Sequence, residues 1–475
     1  MSNNLIYRTL VPDAPLYSRT EGDEFRDAVF LDRQKSNGFL LREAVIPGLQ
    51  EPSLISSYLG SIDRILFCFP NWALDNYSFV LAYQSVIQSL RVGTKFVVVH
   101  HESGRSRIEP WFTAVGHSLD DIVFVGLPDY VSLTDWAEDA YVAVRDAVDG
   151  SGYLMEPWEF MRAGDALIAD AVEEYADIKA SQSPLIFQGG NCLIGDDFWF
   201  LGKDYFLDTV NLFRQGRPPV SVPEDLKLDD FVTGLFAKYV DRNRRLYLIG
   251  TDKLIPIRDY IGTKDGTDYY LDLASDGAGA FQPIFHIDMF ISLVGRNDEG
   301  NFEVLVGSPT LADELLGTKS PFALSDVYDG IAQFLIDVGF SVKRNPLVHR
   351  PSIGNTLAFS QLREIASQPG YEALVTAVKE LAAAGAVDNS IVRIRTWHHI
   401  TWNNCLVENS ASVGKHVYLP TFGHGANSDL ASVDLEMKSI WEGLGFTVHM
   451  LGDFNEFARR QGVVHCIKKY LLRGD

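Results

Sequence analysis

The sequence predicts an alternating α/β protein, and three features carry that prediction. Short apolar runs recur along the chain, polar or glycine-rich turns follow them, and stretches of helical periodicity separate one run from the next. Arg64-Ile65-Leu66-Phe67-Cys68-Phe69-Pro70 is the clearest run, a buried strand stopped by a proline. Residues 76–90 then show helical spacing, and 95–100 return to a strand. Further strands are expected at 121–126, 184–187, 198–201, 246–249, 284–294, 303–307, 341–343, 401–408 and 416–419. Helices are expected at 324–338, 371–384 and 432–444, the last capped by Ser428 or Asp429. Such alternation by itself favours one doubly wound sheet, and no internal sequence repeat argues for symmetry. The first sixty or so residues have a mixed pattern and read as an N-terminal extension or cap.

Composition narrows the function. The 475 residues are 46% hydrophobic and 22% charged, enough for a substantial core. A net charge of -22 excludes the basic clusters on which phosphate binding relies, so no nucleic-acid partner is expected. The same negative field would concentrate cations, although acidity for solubility alone explains it equally well. Four cysteines do not make a disulfide scaffold. The N-terminus lacks the pattern of a signal peptide, and the apolar runs are too short to span a bilayer. No membrane partner and a cytoplasmic location follow as expectations. Nothing in the sequence sets an oligomeric state.

The candidate chemistry lies in an ordered set of residues. Cys466 stands in Gly462-Val463-Val464-His465-Cys466 near the C-terminus. Alone it would read as a buried small hydrophobe, as would Cys192 and Cys405. His286-Ile287-Asp288 is expected in a strand, where alternate residues share a face, so that imidazole and carboxylate emerge together. Asp139 follows Trp136-Ala137-Glu138 in what would otherwise be an acidic turn. A guanidinium is planar with parallel N–H donors, and a carboxylate grips it in bidentate fashion. Two carboxylates fix its plane and present its carbon to a thiolate, while an imidazole moves the protons. Gln188-Gly189-Gly190-Asn191 marks a tight turn or a close approach of backbone to ligand. Trp397 and Trp402, with His398 and His399 between them, are candidates to line a cleft; the adjacent histidines lack a metal-ligand pattern.

These segments, taken in order, resemble the guanidino-group-modifying enzymes, most closely the peptidylarginine deiminase catalytic domain and the agmatine deiminases. The tail from Leu435 through Gly443-Leu444-Gly445-Phe446 and Asp453-Phe454 to Gly462-Val463-Val464-His465-Cys466 carries the likeness best. Asn403-Asn404-Cys405-Leu406-Val407, Val417 to Gly423, His286 to Phe290 with Val304 to Pro309, Gly189-Gly190-Asn191 and Trp136-x-x-Asp139 fall in the same order. The resemblance spans roughly residues 60 to 475 and implies a single domain, 61–475, with the pentein fold, a five-bladed pseudosymmetric β/α propeller. It implies Cys466 as nucleophile, His286 as acid and base, and Asp139 and Asp288 as catalytic clamps. Trp136, Gly190 and Asn191 join those two acids in substrate binding. The reaction implied is hydrolysis of a guanidinium to a ureido product and ammonia, with neither cofactor nor metal. The substrate would be a small molecule or a peptide arginine.

This chain departs from the pattern in places. Agmatine deiminases show Trp-x-Arg-Asp-x-Gly-Pro where this sequence has Trp136-Ala137-Glu138-Asp139-Ala140-Tyr141. The acids that follow this aspartate in calcium-dependent animal enzymes are replaced by Ala140 and Val142, so calcium dependence does not carry over. Lys468 stands where the family places a small or hydroxyl residue. Agmatine or free-arginine deimination, amidino transfer to an amine, and guanidinium binding without catalysis remain alternatives. A papain-like protease is disfavoured because the usual surroundings of a protease cysteine are missing.

Overall fold

The computed structural model describes residues 49–475, apart from 161, 163, 218–220, 253–254, 256–257, 265–266, 273–279, 321–323 and 368–371. Side chains at 256–279, 351–356, 368–373, 376–377 and 393–398 also lie outside the description. The strands in chain order are β1 (Pro52–Leu54), β2 (Ser61–Phe69), β3 (Lys95–His101), β4 (Ile122–Leu127), β5 (Val142–Asp146), β6 (Gly152–Glu156) and β7 (Lys179–Gln182). They continue with β8 (Cys192–Ile194), β9 (Phe198–Gly202), β10 (Arg245–Ile249), β11 (Arg258–Lys264), β12 (Thr267–Asp272), β13 (Ile291–Arg296) and β14 (Phe302–Ser308). The last are β15 (Ser341–Ala358), β16 (Ile391–Thr401), β17 (Leu406–Ser410), β18 (Gly414–Thr421), β19 (Thr447–Asp453) and β20 (Lys468–Gly474).

Among the described residues these strands form five sheets, not the single doubly wound sheet that alternation favours. One topology underlies all five. A strand pairs antiparallel with the next, which crosses through helix to a third strand parallel to itself. The triplets are β5-β6-β7, β8-β9-β10, β13-β14-β15 and β17-β18-β19. The fifth is built from both ends of the chain: β20 pairs antiparallel with β2, which is parallel to β3. Strand β4 extends that sheet, β1 edges the β5-β6-β7 sheet, and a long β15–β16 ladder with the β11–β12 hairpin extends the β13-β14-β15 sheet. The repeat is one of topology, which is why it leaves no periodic trace in the sequence.

Local chemistry explains the elements. Strand β3 has six buried residues in succession after Lys95, the apolar run of a parallel strand covered on both faces. Helix Tyr77–Ser89 starts where the Asn76 side chain accepts from Ser78 N–H (3.0 Å). Helix Pro309–Leu316 has Ser308 as N-cap, proline in its first turn and Gly317 left-handed at its end. Helices Ser325–Asp337, Glu372–Ala383 and Ala431–Gly443 lie where periodicity predicts them. No helix among the described residues is long and apolar enough to cross a membrane.

Four expectations need correction. Residues 184–187 form no strand: Leu185 carbonyl takes Trp158 N–H, and Thr209 Oγ1 of helix Lys203–Arg214 takes Ile186 N–H, so these ladder groups are engaged elsewhere. The strand expected at 284–294 begins only at Ile291, after a 3₁₀ turn at Ile287–Met289. Residues 401–408 are broken between β16 and β17, where Asn403 N–H turns back to Thr401 Oγ1 (3.0 Å) and Cys405 N–H to the Asn403 carbonyl (2.9 Å). Helix Ala431–Gly443 has no side-chain cap; a 3₁₀ turn at Gly425–Leu430 leads into it, and Asp429 pairs with Arg350 instead.

The feature that positions a site is a set of five turns, one before the first strand of each triplet. They hold Asp139 before β5, Gly189–Asn191 before β8, Ile287–Met289 before β13, Trp402 to Cys405 before β17, and His465 with Cys466 before β20. Hydrogen bonds join them in a closed cycle. Gly189 N–H donates to the Asp139 carbonyl (3.2 Å), and Ile287 N–H to Asn191 Oδ1 (3.0 Å). Ser292, at the head of β13, donates to the Asn403 carbonyl (2.9 Å). His465 and Cys466 N–H groups both donate to Asn404 Oδ1 (2.9 and 3.3 Å). Glu138 N–H returns to the Cys466 carbonyl (3.0 Å).

The joint between the chain's two ends is tight at Gly60. Its φ is +87°, and a Cβ there would lie 2.1 Å from the Gly474 carbonyl oxygen. Gly60→Ala is therefore expected to destabilise the protein by about 2 kcal/mol or more, read as a lower denaturation midpoint in urea.

Candidate active site

All four residues expected to act chemically meet at the cycle of turns. His286 and Asp288 do not share a strand face, as their spacing suggested; the 3₁₀ turn between them aims both inward while Ile287 is fully buried. His286 Nδ1 lies 3.7 Å from Asp139 Oδ1, and Cys466 Sγ lies 3.7 Å from Asp288 Oδ2. All four are buried, between 1% and 4% exposed, so a charge on any of them is felt strongly by the others.

Each carboxylate has one oxygen engaged by the protein and one left over. Arg162 donates to Asp139 Oδ2 (2.8 Å) while its Nε reaches Asp165 (2.7 Å). His465 Nδ1 meets Asp288 Oδ2 at 2.8 Å. Asp139 Oδ1 and Asp288 Oδ1 are both buried without a hydrogen-bond partner. Each acid thus offers a single oxygen, where the sequence suggested bidentate grips. Buried acceptors are seldom left without a hydrogen bond, so both oxygens are placed to accept from a bound group.

His286 is oriented from the opposite side. Its Nε2 meets Gln188 Oε1 at 2.7 Å, so Nε2 carries a proton and Nδ1 is the nitrogen toward Asp139. Gly190 makes room for it, since a Cβ there would lie 2.5 Å from His286 Nδ1. Asn191, expected among the substrate-binding residues, is fully buried; its amide exchanges hydrogen bonds with Gln282 and accepts from Ile287 N–H. Trp136 is half-buried against Phe457, and Gly462 leaves space for its ring, a Cβ there falling 2.3 Å from it. Trp402 sits in the core with Nε1 donating to Asp434 (2.8 Å); the side chains of Trp397 and His398 lie outside the described residues. Cys192 and Cys405 are buried thiols pushed up to about 12, chiefly by desolvation.

Lys468 has a structural explanation. It is fully buried and donates to Glu138 Oε2 (2.8 Å), while Lys469 takes Oε1 (2.9 Å). Burial lowers its ammonium to about 8 against the support of Glu138. The electrostatics among these buried groups favour neutral forms. Asp288 is held well above the usual carboxylate range by desolvation and then by Asp139 and Glu138. Cys466 is raised well above an ordinary thiol by desolvation, then by Asp288 and Asp139. Both shifts would reverse on arrival of a cation between the acids.

Gln188, Asn404, Arg162 and His465 were not among the residues expected at the site. Asn404 donates to Cys466 Sγ (3.2 Å) as well as holding the backbone beneath it. A sequence signal existed: Trp-Ala-Glu-Asp, Gln-Gly-Gly-Asn, His-Ile-Asp-Met, Trp-Asn-Asn-Cys and Val-His-Cys each place polar or thiol groups just before an apolar strand.

No family model matches the chain, and no curated protein matches it in sequence. Solved structures do. Agmatine deiminase of C. jejuni superposes with a TM-score of 0.50 at 11% identity, covering 90% of this chain and 98% of that one. Agmatine deiminase of Enterococcus faecalis gives 0.46 at 11% identity, covering 89% and 98%. DDAH from Pseudomonas aeruginosa gives 0.32 at 10%, covering 86% and 99%. The C. jejuni enzyme and this chain share a fold; identity this low says nothing of substrate.

Two outcomes follow from the geometry. Because Asp288 raises the Cys466 thiol, Asp288→Asn should increase the thiolate fraction and speed iodoacetamide labelling of Cys466 at about pH 8. In the unsubstituted protein that rate should still be climbing above about pH 8.5, where an ordinary thiol is half ionised. Gly190→Ala should displace the imidazole and lower kcat at least tenfold in any assay that turns over, a loss of about 1.4 kcal/mol in transition-state stabilisation.

Proposed function

We propose that the protein is a cysteine-dependent hydrolase of guanidinium C–N bonds. The observation that carries this reading is a pair of buried carboxylate oxygens without a hydrogen bond, Asp139 Oδ1 and Asp288 Oδ1, the first 3.7 Å from His286 Nδ1 and the second on the acid whose Oδ2 lies 3.7 Å from Cys466 Sγ. A guanidinium ion supplies what they lack: N–H donors on two edges and one positive charge. The shared fold with an agmatine deiminase supports the same reading, as does the cycle of turn-to-turn hydrogen bonds. That cycle is the arrangement expected of a closed five-bladed propeller, which we adopt for the fold.

The proposed reaction uses this chain's residues as follows. The bound cation offsets the field of the acids, and the Cys466 proton passes to His286 Nδ1. Sulfur adds to the guanidinium carbon, the C–N bond to one amino group breaks, and His286 Nδ1 delivers the proton that lets it leave as ammonia. An S-linked thiouronium remains on Cys466. His286 then takes a proton from water, whose oxygen adds to the same carbon; the C–S bond breaks, and the sulfur takes the proton that the product's carbonyl gives up. The proton on His286 leaves to make ammonia ammonium. Water and guanidinium in, ureido compound and ammonium out, balances the cycle. Arginine in a peptide, giving citrulline, is the substrate class we favour from the sequence likeness; agmatine and free arginine are the runners-up. Such a thiol works where cysteines stay reduced, and the four here are unpaired, so we assign the cytoplasm.

The test is ammonia and ureido product from benzoyl-arginine amide, arginine peptides, free arginine, agmatine and guanidinoacetate, with Cys466→Ala in parallel. Product from one class, absent in the variant, is expected. Activity retained by Cys466→Ala overturns the assignment of the nucleophile. Product that forms only when an amine is added makes the protein an amidinotransferase instead.

A further inference from the structure

The residue beside the nucleophile is not used by that mechanism. His465 is buried, its backbone N–H is fixed by Asn404 Oδ1, and its ring stands edge-on to Tyr470 with centroids 6.1 Å apart. Its Nδ1 makes the 2.8 Å contact with Asp288 Oδ2, the same oxygen that lies 3.7 Å from Cys466 Sγ. Its Nε2 is buried and has no hydrogen-bond partner. Desolvation keeps this imidazole neutral, and Lys468, Lys469, Arg473 and His286 around it oppose a second proton. Asp288 and Tyr470 also contact the ring. A neutral imidazole has one N–H, and Nδ1 is the nitrogen that faces a partner.

We infer that His465 is a positioning residue: its Nδ1–H holds Asp288 Oδ2 and so commits Oδ1 to the guanidinium. A carboxylate attached through a single rotatable bond would otherwise turn either oxygen toward the ligand or toward the sulfur. Arg162 does the same for Asp139, whose Oδ2 it occupies. The two clamps are thus preset, each showing one oxygen. This role rests on the guanidinium reading of the site, and the experiment separates the two.

Cys466 would be labelled with cationic chloroacetamidine and with neutral iodoacetamide, and the ratio of the two rates measured by peptide mass spectrometry. The comparison takes unsubstituted protein, His465→Asn, His465→Gln and His465→Phe at about pH 7.5. An asparagine amide nitrogen falls where Nδ1 was, and a glutamine amide falls nearer Nε2. His465→Asn should keep the cationic preference within about threefold, whereas His465→Gln and His465→Phe should lose about tenfold or more, the worth of one hydrogen bond to a charged group. Neutral labelling and the thermal melt report whether each variant is folded; the Asn and Gln pair decides if Phe is not. An unchanged preference in His465→Gln overturns the role, as does an equal collapse in His465→Asn. No cationic preference in the unsubstituted protein overturns the guanidinium reading, and the role falls with it.

Discussion

The structure depends on the hydrogen bonds that join five turns into a cycle. Each turn precedes the first strand of a triplet, and each contributes to the junction something a strand interior would not release: a carboxylate, a glycine backbone, an imidazole, an amide or a thiol. Asn404 shows the economy of the arrangement. Its Oδ1 holds two successive N–H groups at His465 and Cys466, and its Nδ2 touches the sulfur. Asn191 does the equivalent work two turns away in the cycle, pinning Ile287 between His286 and Asp288. The chain's last strand, paired to β2, brings Cys466 back to the turn of Asp139 and completes the cycle.

Charge follows from this burial. Glu138 is matched by Lys468 and Lys469, and Asp139 and Asp165 share Arg162. Asp288 is met by the His465 imidazole and the Cys466 thiol, and desolvation with its acidic neighbours raises it and the thiol together, with Lys468 opposing the shift of the acid. Buried ions without counter-charge are unfavourable, so Asp288 and Cys466 favour their protonated forms, and a cation between the acids would favour the ionised ones. In this account the substrate's own charge switches on the nucleophile, and a neutral molecule of the same shape leaves the thiol idle.

Much of this was legible in the sequence, for definite reasons. Strand β3 and helix Tyr77–Ser89 are set by local apolar pattern and an asparagine cap, so they fall where expected. The order Asp139, His286-x-Asp288, Cys466 survives because turns that converge in space keep their own chemistry. What the sequence hid is non-local. The five-sheet topology leaves no repeat because each triplet packs different side chains. His286 and Asp288 were placed on a strand because i, i+2 spacing mimics one; the Asn191 side chain, 96 residues away, takes Ile287 N–H and favours a turn. Lys468 departs from the family pattern at the position two after Cys466, and its partner Glu138 stands 330 positions upstream, out of reach of any local reading.

The most direct test of the central claim is proton release on cation binding. Guanidinium chloride or benzoyl-arginine amide would be titrated into Cys466→Ala at near-neutral pH by calorimetry, in buffers of differing ionisation enthalpy. Removing the nucleophile leaves Asp288 as the acid held above its ordinary range, and a bound cation must lower it. The account predicts binding with release of up to about one proton, abolished in Cys466→Ala combined with Asp288→Asn. Binding with no proton released, or no binding at all, would contradict it.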